Sequence, residues 1–327
     1  MRKSILISTA LTACLGLWGC GVSVSTGELL VVNFEQDQPL RYRMVSERQT
    51  LIDLTGGEAA QKSQPQTMSE RLELVMVYTP VQVDPFGLTT LKATCESAKV
   101  TRTSFSGRQA GADAVESLPQ MSFTLTMTPT GQIDDLTDFR RAVRELGDKA
   151  FSDGRSSAGR VKNPDMISDF LAMQWYVWDS IASVEDPTRG LTVGKTWQTV
   201  QLLPWPAPMP NPPTRVTTFK LDSIDEEGTQ RKARLTSSYA LSDAVIDNIP
   251  QAYEGTYQMR GLFGFLRRYQ FKSIEGGGTQ VFNIDTGVLE SDLQQYSLNV
   301  EADFAIALGD SKPILKVDQK ISIERLQ

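Results

Sequence analysis

The chain has 327 residues and a formal charge of −6, from 33 basic and 39 acidic side chains. This acidic balance argues against nucleic acid as a partner, because phosphate binding needs a basic face. The sequence contains no histidine, which excludes His/Cys zinc sites and both Ser-His-Asp and Cys-His catalysis within this chain. No acidic loop has EF-hand spacing, so we expect no metal and no cofactor.

The N-terminus has the layout of a secretory signal peptide. Arg2 and Lys3 precede an uncharged stretch over residues 4–19, which is too short and too poorly flanked for a membrane-spanning helix. The stretch ends in Leu-Trp-Gly before Cys20, and here the sequence resembles the lipobox of bacterial lipoproteins. The resemblance implies that the Cys20 sulfur receives a diacylglycerol, that the signal is cut before Cys20, and that the new N-terminus then receives an acyl chain such as palmitate.

A second box, Leu-Thr-Ala before Cys14, is the alternative attachment site. We prefer Cys20, because cleavage at Cys14 would leave an apolar mature N-terminus, whereas cleavage at Cys20 leaves a tether of small residues. A plain secretory signal is the other alternative. Gly21, rather than aspartate, follows the anchor, which favours the outer membrane of the cell envelope over the inner membrane.

The mature chain keeps about 300 residues, and no later segment approaches the length of about 20 apolar residues that a membrane helix needs. Cys95 is then the one remaining cysteine, so an intramolecular disulfide is excluded. Its alternating surroundings favour a buried cysteine in a strand over a reactive thiol.

Residues 29–128 mostly alternate between apolar and polar positions. Leu40, Tyr42 and Met44 alternate with Arg41 and Arg43. This period of two predicts long antiparallel strands with one face in water.

Helical spacing replaces this alternation over residues 137–186. Phe139, Val143 and Leu146 share one face of a first helix. Asn163 is predicted to cap a second helix, with Pro164 in its first turn. The apolar face of this second helix carries Met166, Ile167, Phe170, Leu171, Val177 and Ile181.

The β pattern returns over residues 187–327. The strands are predicted at residues 214–224, 231–241, 268–274, 280–284, 296–307 and 314–325, with a turn at Glu275-Gly276-Gly277-Gly278. The proline-rich stretch at 204–213 must lie at a surface or a sheet edge. Short matches between residues 92–97 and 232–237 indicate either an internal duplication or chance similarity of strand composition.

The predicted fold class is α+β, with two similar, mostly antiparallel β units forming curved sheets and a two-helix segment between them. The boundaries are a signal peptide at 1–19, a tether at 20–28, a first β unit at 29–136, a helical segment at 137–186 and a second β unit at 187–327. Segments 40–44, 121–136 and 191–197 are similar to an exported bacterial family of unknown function. That resemblance implies architecture and no activity.

Asp285-Thr286-Gly287 is the tripeptide of aspartic proteases, whose chemistry needs two carboxylates that share a proton. A second such tripeptide does not occur in the sequence, and a hairpin turn explains the motif as well. An acidic cluster consists of Asp134, Asp135 and Asp138. It suits either a hard cation or the N-terminus of the first helix.

Trp175, Tyr176, Trp178 and Trp197 are the candidate lining of an apolar pocket, with ordinary core packing as the alternative. The leading hypothesis is a membrane-anchored envelope lipoprotein that is not an enzyme. Its partners would be the membrane, through the N-terminal lipid, and either an unknown protein or a hydrophobic small molecule. The alternatives are a structural or assembly protein of the envelope and an aspartyl-type hydrolase.

Overall fold

The computed structural model describes residues 27–53, 66–103, 112–150, 165–186, 188–206, 212–247, 249–252, 266–304 and 314–327. Eleven antiparallel strands in these ranges form one sheet. The strands are β1 Leu40–Asp53, β2 Gln66–Val83, β3 Thr89–Thr103, β4 Ser122–Met127, β5 Ile133–Asp135, β6 Thr196–Leu202, β7 Thr214–Glu227, β8 Gln230–Ser242, β9 Leu266–Asn283, β10 Val288–Phe304 and β11 Ile314–Leu326. The helices are α1 Thr137–Ala150, α2 Ile167–Tyr176, α3 Asp179–Ala182 and a 3₁₀ helix at Ala114–Gln120.

The predicted division into two β units is wrong. The spatial order is β5-β4-β3-β2-β1-β11-β10-β9-β8-β7-β6. The first strand therefore pairs with the last one, from Arg41 opposite Leu326 to Asp53 opposite Ile314. This pairing joins the strands before and after the helices into one continuous sheet, so the fold is β-rich and is not α+β with two units.

The alternation predicted for the first strands is confirmed. Tyr42, Met44 and Leu74 are fully buried on one face of the sheet, which we call the inner face. The other face is open to solvent, and its charged side chains pair across strands, as Arg43 does with Glu73. An antiparallel sheet with one covered face produces this pattern.

The helices cover the inner face. Helix α1 confirms the first predicted helix, because Phe139, Val143 and Leu146 are buried. The second predicted helix is divided, since α2 ends at Tyr176 and α3 begins at Asp179. All six residues of its predicted apolar face are buried. The predicted cap at Asn163 and Pro164 lies outside the described residues.

The turn predicted at residues 275–278 is wrong, because these residues lie inside strand β9. The glycines serve close packing between strands. A Cβ on Gly276, where φ is +153°, would lie 2.2 Å from the carbonyl oxygen of Gln295. A Cβ on Gly278 would lie 2.7 Å from the hydroxyl of Tyr239. Glycine is needed here because a neighbouring strand and a tyrosine occupy the space of a side chain.

Within the described ranges, no helix is long and apolar enough to cross a membrane.

Candidate binding site on the open face

A depression with a volume of about 900 Å³ crosses six strands in the middle of the sheet, from β3 to β9. We call it the trough. Its open-face lining consists of Glu47, Gln49, Ser69, Arg71, Thr101, Thr103, Glu275, Gly277, Gln295, Ser297, Asp318 and Lys320. These residues are successive cross-strand neighbours, as in the pairs of Glu47 with Arg71 and with Lys320. The trough is therefore part of the regular sheet surface rather than a cleft between loops.

The trough is lined with hydroxyl, amide and charged groups. Arg71 contacts Glu47, and Asp318 contacts Ser297. Lys320 and Glu275 form no ion pair with any other described residue. Within the described part of the chain, the surface thus offers hydrogen bonds together with one unpaired charge of each sign.

A buried ionic network lies directly behind the trough floor. Arg48 donates to Asp169 on α2 at 2.9 Å and to Glu70 on β2 at 2.8 Å. Glu70 also accepts a hydrogen bond from Arg102 at 2.6 Å, and Arg102 donates to Asp113 at 2.5 Å. The Arg48 and Asp169 side chains have no exposed surface. The network fastens α2 and the cap of the 3₁₀ helix to three neighbouring strands.

These contacts keep Arg48 and Glu70 charged, whereas burial raises the pKa of Asp113 to about 7. Burial acts to lower the pKa of Arg48, but Asp169 and Glu70 outweigh it and hold this pKa above its ordinary value. Burial likewise acts to raise the pKa of Glu70, but Arg48 and Arg102 bring it below its ordinary value. A charged pair away from water persists only when each charge is neutralised in this way.

A second buried cation, Arg215 on β7, lies among aromatic rings. Its guanidinium carbon is 3.8 Å from the ring centre of Tyr239 and 5.1 Å from the rings of Tyr176 and Tyr296. Such stacking stabilises a desolvated guanidinium. Arg215 also donates to the side-chain oxygen of Gln201 at 2.8 Å.

Asp292 on β10 lies close to this arginine. Burial raises the pKa of Asp292 to about 7, although a hydrogen bond from Gln294 and the charge of Arg215 act against the rise. That hydrogen bond joins Gln294 Nε2 to Asp292 Oδ2 at 2.6 Å. The carboxyl is therefore partly protonated near neutral pH.

The four residues of the predicted apolar pocket lie between the helices and β6. Tyr176, Trp178 and Trp197 are buried, and Trp175 is half-buried. Trp197 donates to the carbonyl of Ser180 at 2.9 Å. A cavity of about 220 Å³ touches Trp175 and Trp178 but not the other two. This volume is below the roughly 300–1,000 Å³ of typical ligand pockets.

The predicted anchor at Cys20, and the rival Cys14, lie outside the described residues. Cys95 is confirmed as a buried strand cysteine. Burial raises the pKa of its thiol to about 12, so little thiolate forms near neutral pH.

Asp285 lies in the turn between β9 and β10 and binds Arg231. One carboxylate oxygen accepts from the guanidinium at 2.8 and 2.9 Å, and the other accepts from the Arg231 amide at 2.6 Å. These hydrogen bonds hold the pKa of Asp285 below its usual value. A carboxylate held in this way fastens a turn, whereas an aspartic-protease carboxyl shares a proton with a second acid.

The acidic cluster at residues 134–138 supports helix α1. Asp135 accepts a hydrogen bond from the amide of Thr137 at 2.9 Å, and Asp138 accepts one from the amide of Thr124 at 2.8 Å. The described residues contain no group of three or more potential metal ligands. The arrangement therefore fits helix capping.

Sequence reasoning missed the trough, the ionic network and the arginine among the tyrosines. A signal for the network was present in the alternation itself. Arg48 has the same parity as Tyr42 and Met44, which places a charge on the buried face. Arg215 likewise shares its parity with Phe219. A charge in a buried register needs a buried partner, but the sequence does not identify that partner.

No protein-family model and no curated protein matches the sequence. Among solved structures, the chain is similar to one described as lipid–protein interactions in lipovitellin. The TM-score is 0.41 and the sequence identity is 9%, and the match covers 90% of this chain and 26% of that chain. It is also similar to DynF from the dynemicin biosynthesis pathway of Micromonospora chersina. Here the TM-score is 0.21 and the sequence identity is 5%, and the match covers 100% of this chain and 97% of that chain. The chain spans about a quarter of the lipovitellin chain. Neither likeness is close enough to assign a family or a function.

Proposed function

We propose that this protein is an exported lipoprotein, anchored through Cys20 in the cell envelope, whose β-rich body binds a polar ligand or partner segment in the trough. The observation that carries the proposal is the trough itself, with its volume of about 900 Å³ on the open face of a continuous sheet. Its size lies in the range of ligand sites.

The support behind the floor makes the trough suited to binding. Arg48, Glu70 and Asp169 connect β1, β2 and α2 across the inner face. A surface held in one shape loses little conformational entropy when it binds. The ionic network therefore contributes to recognition without touching the ligand.

The lining determines the chemical class of the ligand. Serine, threonine and glutamine side chains lie among charges of both signs, which suits a polar chain with mixed donors and acceptors. Lys320 and Glu275 lie on different strands of the trough, and each can pair with an opposite charge on the ligand. A hydrophobic ligand between sheet and helices stays a prediction, and the cavity there is smaller.

The proposal is of a binding protein rather than an enzyme. The chain has no histidine to act as a general base. Asp285, which would be the catalytic residue of an aspartyl-type hydrolase, accepts hydrogen bonds from Arg231.

The anchor is tested by metabolic labelling with an alkyne analogue of palmitate. Label should be present in the wild type and in Cys14→Ala and absent from Cys20→Ala. Label lost in Cys14→Ala but kept in Cys20→Ala would assign the anchor to the other cysteine. A wild type without label would contradict lipidation.

The trough is tested by introducing a photo-crosslinking amino acid at Gln295 in cells. Leu293 is the matched control, because it is exposed on the same face of β10 and lies outside the trough. Irradiation should give a discrete adduct at position 295 and not at position 293. Equal adducts at both positions, or none at 295, would count against the trough as the binding surface.

A further inference from the structure

The N-terminal segment identifies one end of the sheet as the end nearest the proposed anchor. This end carries the hairpin turns at residues 84–87, 128–132, 228–229 and 284–287, and we call it the turn end. Residues 27–38 run across it. The amide of Val32 donates to the carbonyl of Pro129, and that of Asn33 to Gly287, each at 3.1 Å. The described chain therefore begins at the turn end.

Chain length restricts which end can approach a bilayer. Cys20 precedes Gly27 by seven residues, which reach at most about 25 Å when fully extended. Strands β2 and β9 contain 18 residues each, so the sheet is up to about 60 Å long. A lipid on Cys20 keeps the turn end near the membrane surface, whereas the opposite end lies well beyond the length of the tether.

Exposed apolar side chains concentrate at this same end. Of the eight large hydrophobic residues that are exposed in the described part of the chain, five lie there. They are Leu29, Val31, Val81, Phe86 and Val193. Phe86 is the most exposed of the eight, at 87%. Such a concentration is typical of a surface that contacts another phase or partner.

The turn that carries Phe86 has a backbone fixed by hydrogen bonds, and the Phe86 side chain is exposed to solvent. Asp84 Oδ1 accepts hydrogen bonds from the amides of Phe86 and Leu88, both at 2.8 Å. Gly87 has a φ of +84°, and a Cβ there would lie 2.7 Å from the ring of Pro129. A rigid aromatic tip of this kind fits the interface between headgroups and acyl chains, where aromatic residues are enriched.

We propose that the turn end rests on the bilayer that holds the anchor and that Phe86 inserts into the lipid interface. This inference rests on the proposed lipid anchor and adds an orientation and a lipid class. Acidic and basic side chains are both exposed at this end, with Glu35 and Asp37 alongside Arg189 and Lys195, so no basic patch selects anionic headgroups. A zwitterionic surface such as phosphatidylcholine is therefore the partner.

The experiment uses the full lipidated chain in phosphatidylcholine vesicles. An environment-sensitive fluorophore is attached to Phe86→Cys or to Val245→Cys, in separate samples. Val245 is the matched control, because it is 62% exposed and follows β8 at the opposite end. A control sample without an added cysteine is labelled in the same way, and it measures any signal from the buried thiol of Cys95.

Bromine atoms on the lipid acyl chains should reduce the emission at position 86 to about half or less, since interfacial groups lie within several ångströms of the acyl boundary. Emission at position 245 should not change. Equal quenching at the two positions, in protein that floats with the vesicles, would overturn the proposed contact of Phe86 but not the anchor. Failure of the protein to float with the vesicles would instead contradict the anchor, and the contact with it.

Discussion

At the scale of single residues, the inner face combines an apolar core with charges that are fully withdrawn from water. Arg48, Glu70 and Asp169 satisfy one another through short hydrogen bonds. Such a network stabilises the fold little compared with an apolar core of equal volume. Its effect is instead to fix where α2 lies against the sheet, since a displaced helix would leave a buried charge unpaired.

We expect Arg48→Met to lower the free energy of unfolding by about 3–5 kcal/mol, because Glu70 and Asp169 would keep buried charges without a partner. Urea denaturation measures the change. Arg43→Met is the matched control on the same strand, since the Arg43–Glu73 pair is partly exposed. It should cost less than about 1 kcal/mol. Equal losses in the two variants would contradict the role given to the network.

Asp292 makes stability depend on pH in a defined direction. Its pKa is about 7 in the folded protein and near 3.9 in an unfolded chain. The folded state therefore binds this proton more tightly. The resulting stabilisation is complete below about pH 4 and is lost as the pH rises through 7.

The variant Asp292→Asn keeps the acceptor for Gln294 and removes the titration. From pH 4 to pH 8, its free energy of unfolding should fall less than that of the wild type, by up to a few kcal/mol. Asp285→Asn should act in the opposite direction and at lower pH, because the pKa of Asp285 is lowered and its stabilisation is lost only as the pH falls below about 4. Parallel curves for Asp292→Asn and the wild type would show that this carboxyl does not titrate as described.

At the scale of elements, β9 depends on its glycines. Gly276 pairs with Tyr296, and a side chain at position 276 would meet the backbone of β10. The ring of Tyr296 packs beside Arg215 on the same face. The glycines thus allow a long strand to pass close to its neighbour while large aromatic side chains fill the inner face.

We expect Gly276→Ala to cost about 3 kcal/mol or more, because the added Cβ lies within 2.2 Å of a carbonyl oxygen and the backbone angle is unfavourable for alanine. Thr279→Ala, on the open face of the same strand, should cost less than about 1 kcal/mol. Thermal unfolding of the two variants measures the difference. A tolerated alanine at position 276 would mean that the strands are farther apart there.

The elements also show what sequence reasoning can and cannot predict. Helix α1 and the two faces of β1 were predicted, since period and polarity are local signals. The turn expected at Gly276 was wrong, because glycine signals a turn and a close strand contact equally well. The division between α2 and α3 was also missed, because apolar residues continue through Val177 and Trp178.

At the scale of the whole molecule, the pairing of β1 with β11 determines the architecture. These strands are separated by most of the chain, and their pairing leaves no local mark in the sequence. The helical segment between two stretches of strands therefore suggested two units. The trough also depends on the pairing of β1 with β11, since its lining comes from strands on both sides of this pair.

A continuous sheet should unfold as one cooperative unit. We expect Arg48→Met on β1 and Gly276→Ala on β9 each to shift a single denaturation transition, with circular dichroism and tryptophan fluorescence giving the same midpoint. Two separate transitions, with each substitution affecting a different one, would instead support independent β units.

Filling the trough with a large side chain tests the proposed binding most directly. Native mass spectrometry of the full chain, released gently from its membrane, should show bound ligand or partner on the wild type. The bound mass should be lost in Gln295→Trp, which places a large side chain in the trough, and kept in Leu293→Trp outside it. Retention of the bound mass in Gln295→Trp, or its loss in both variants, would contradict binding in the trough.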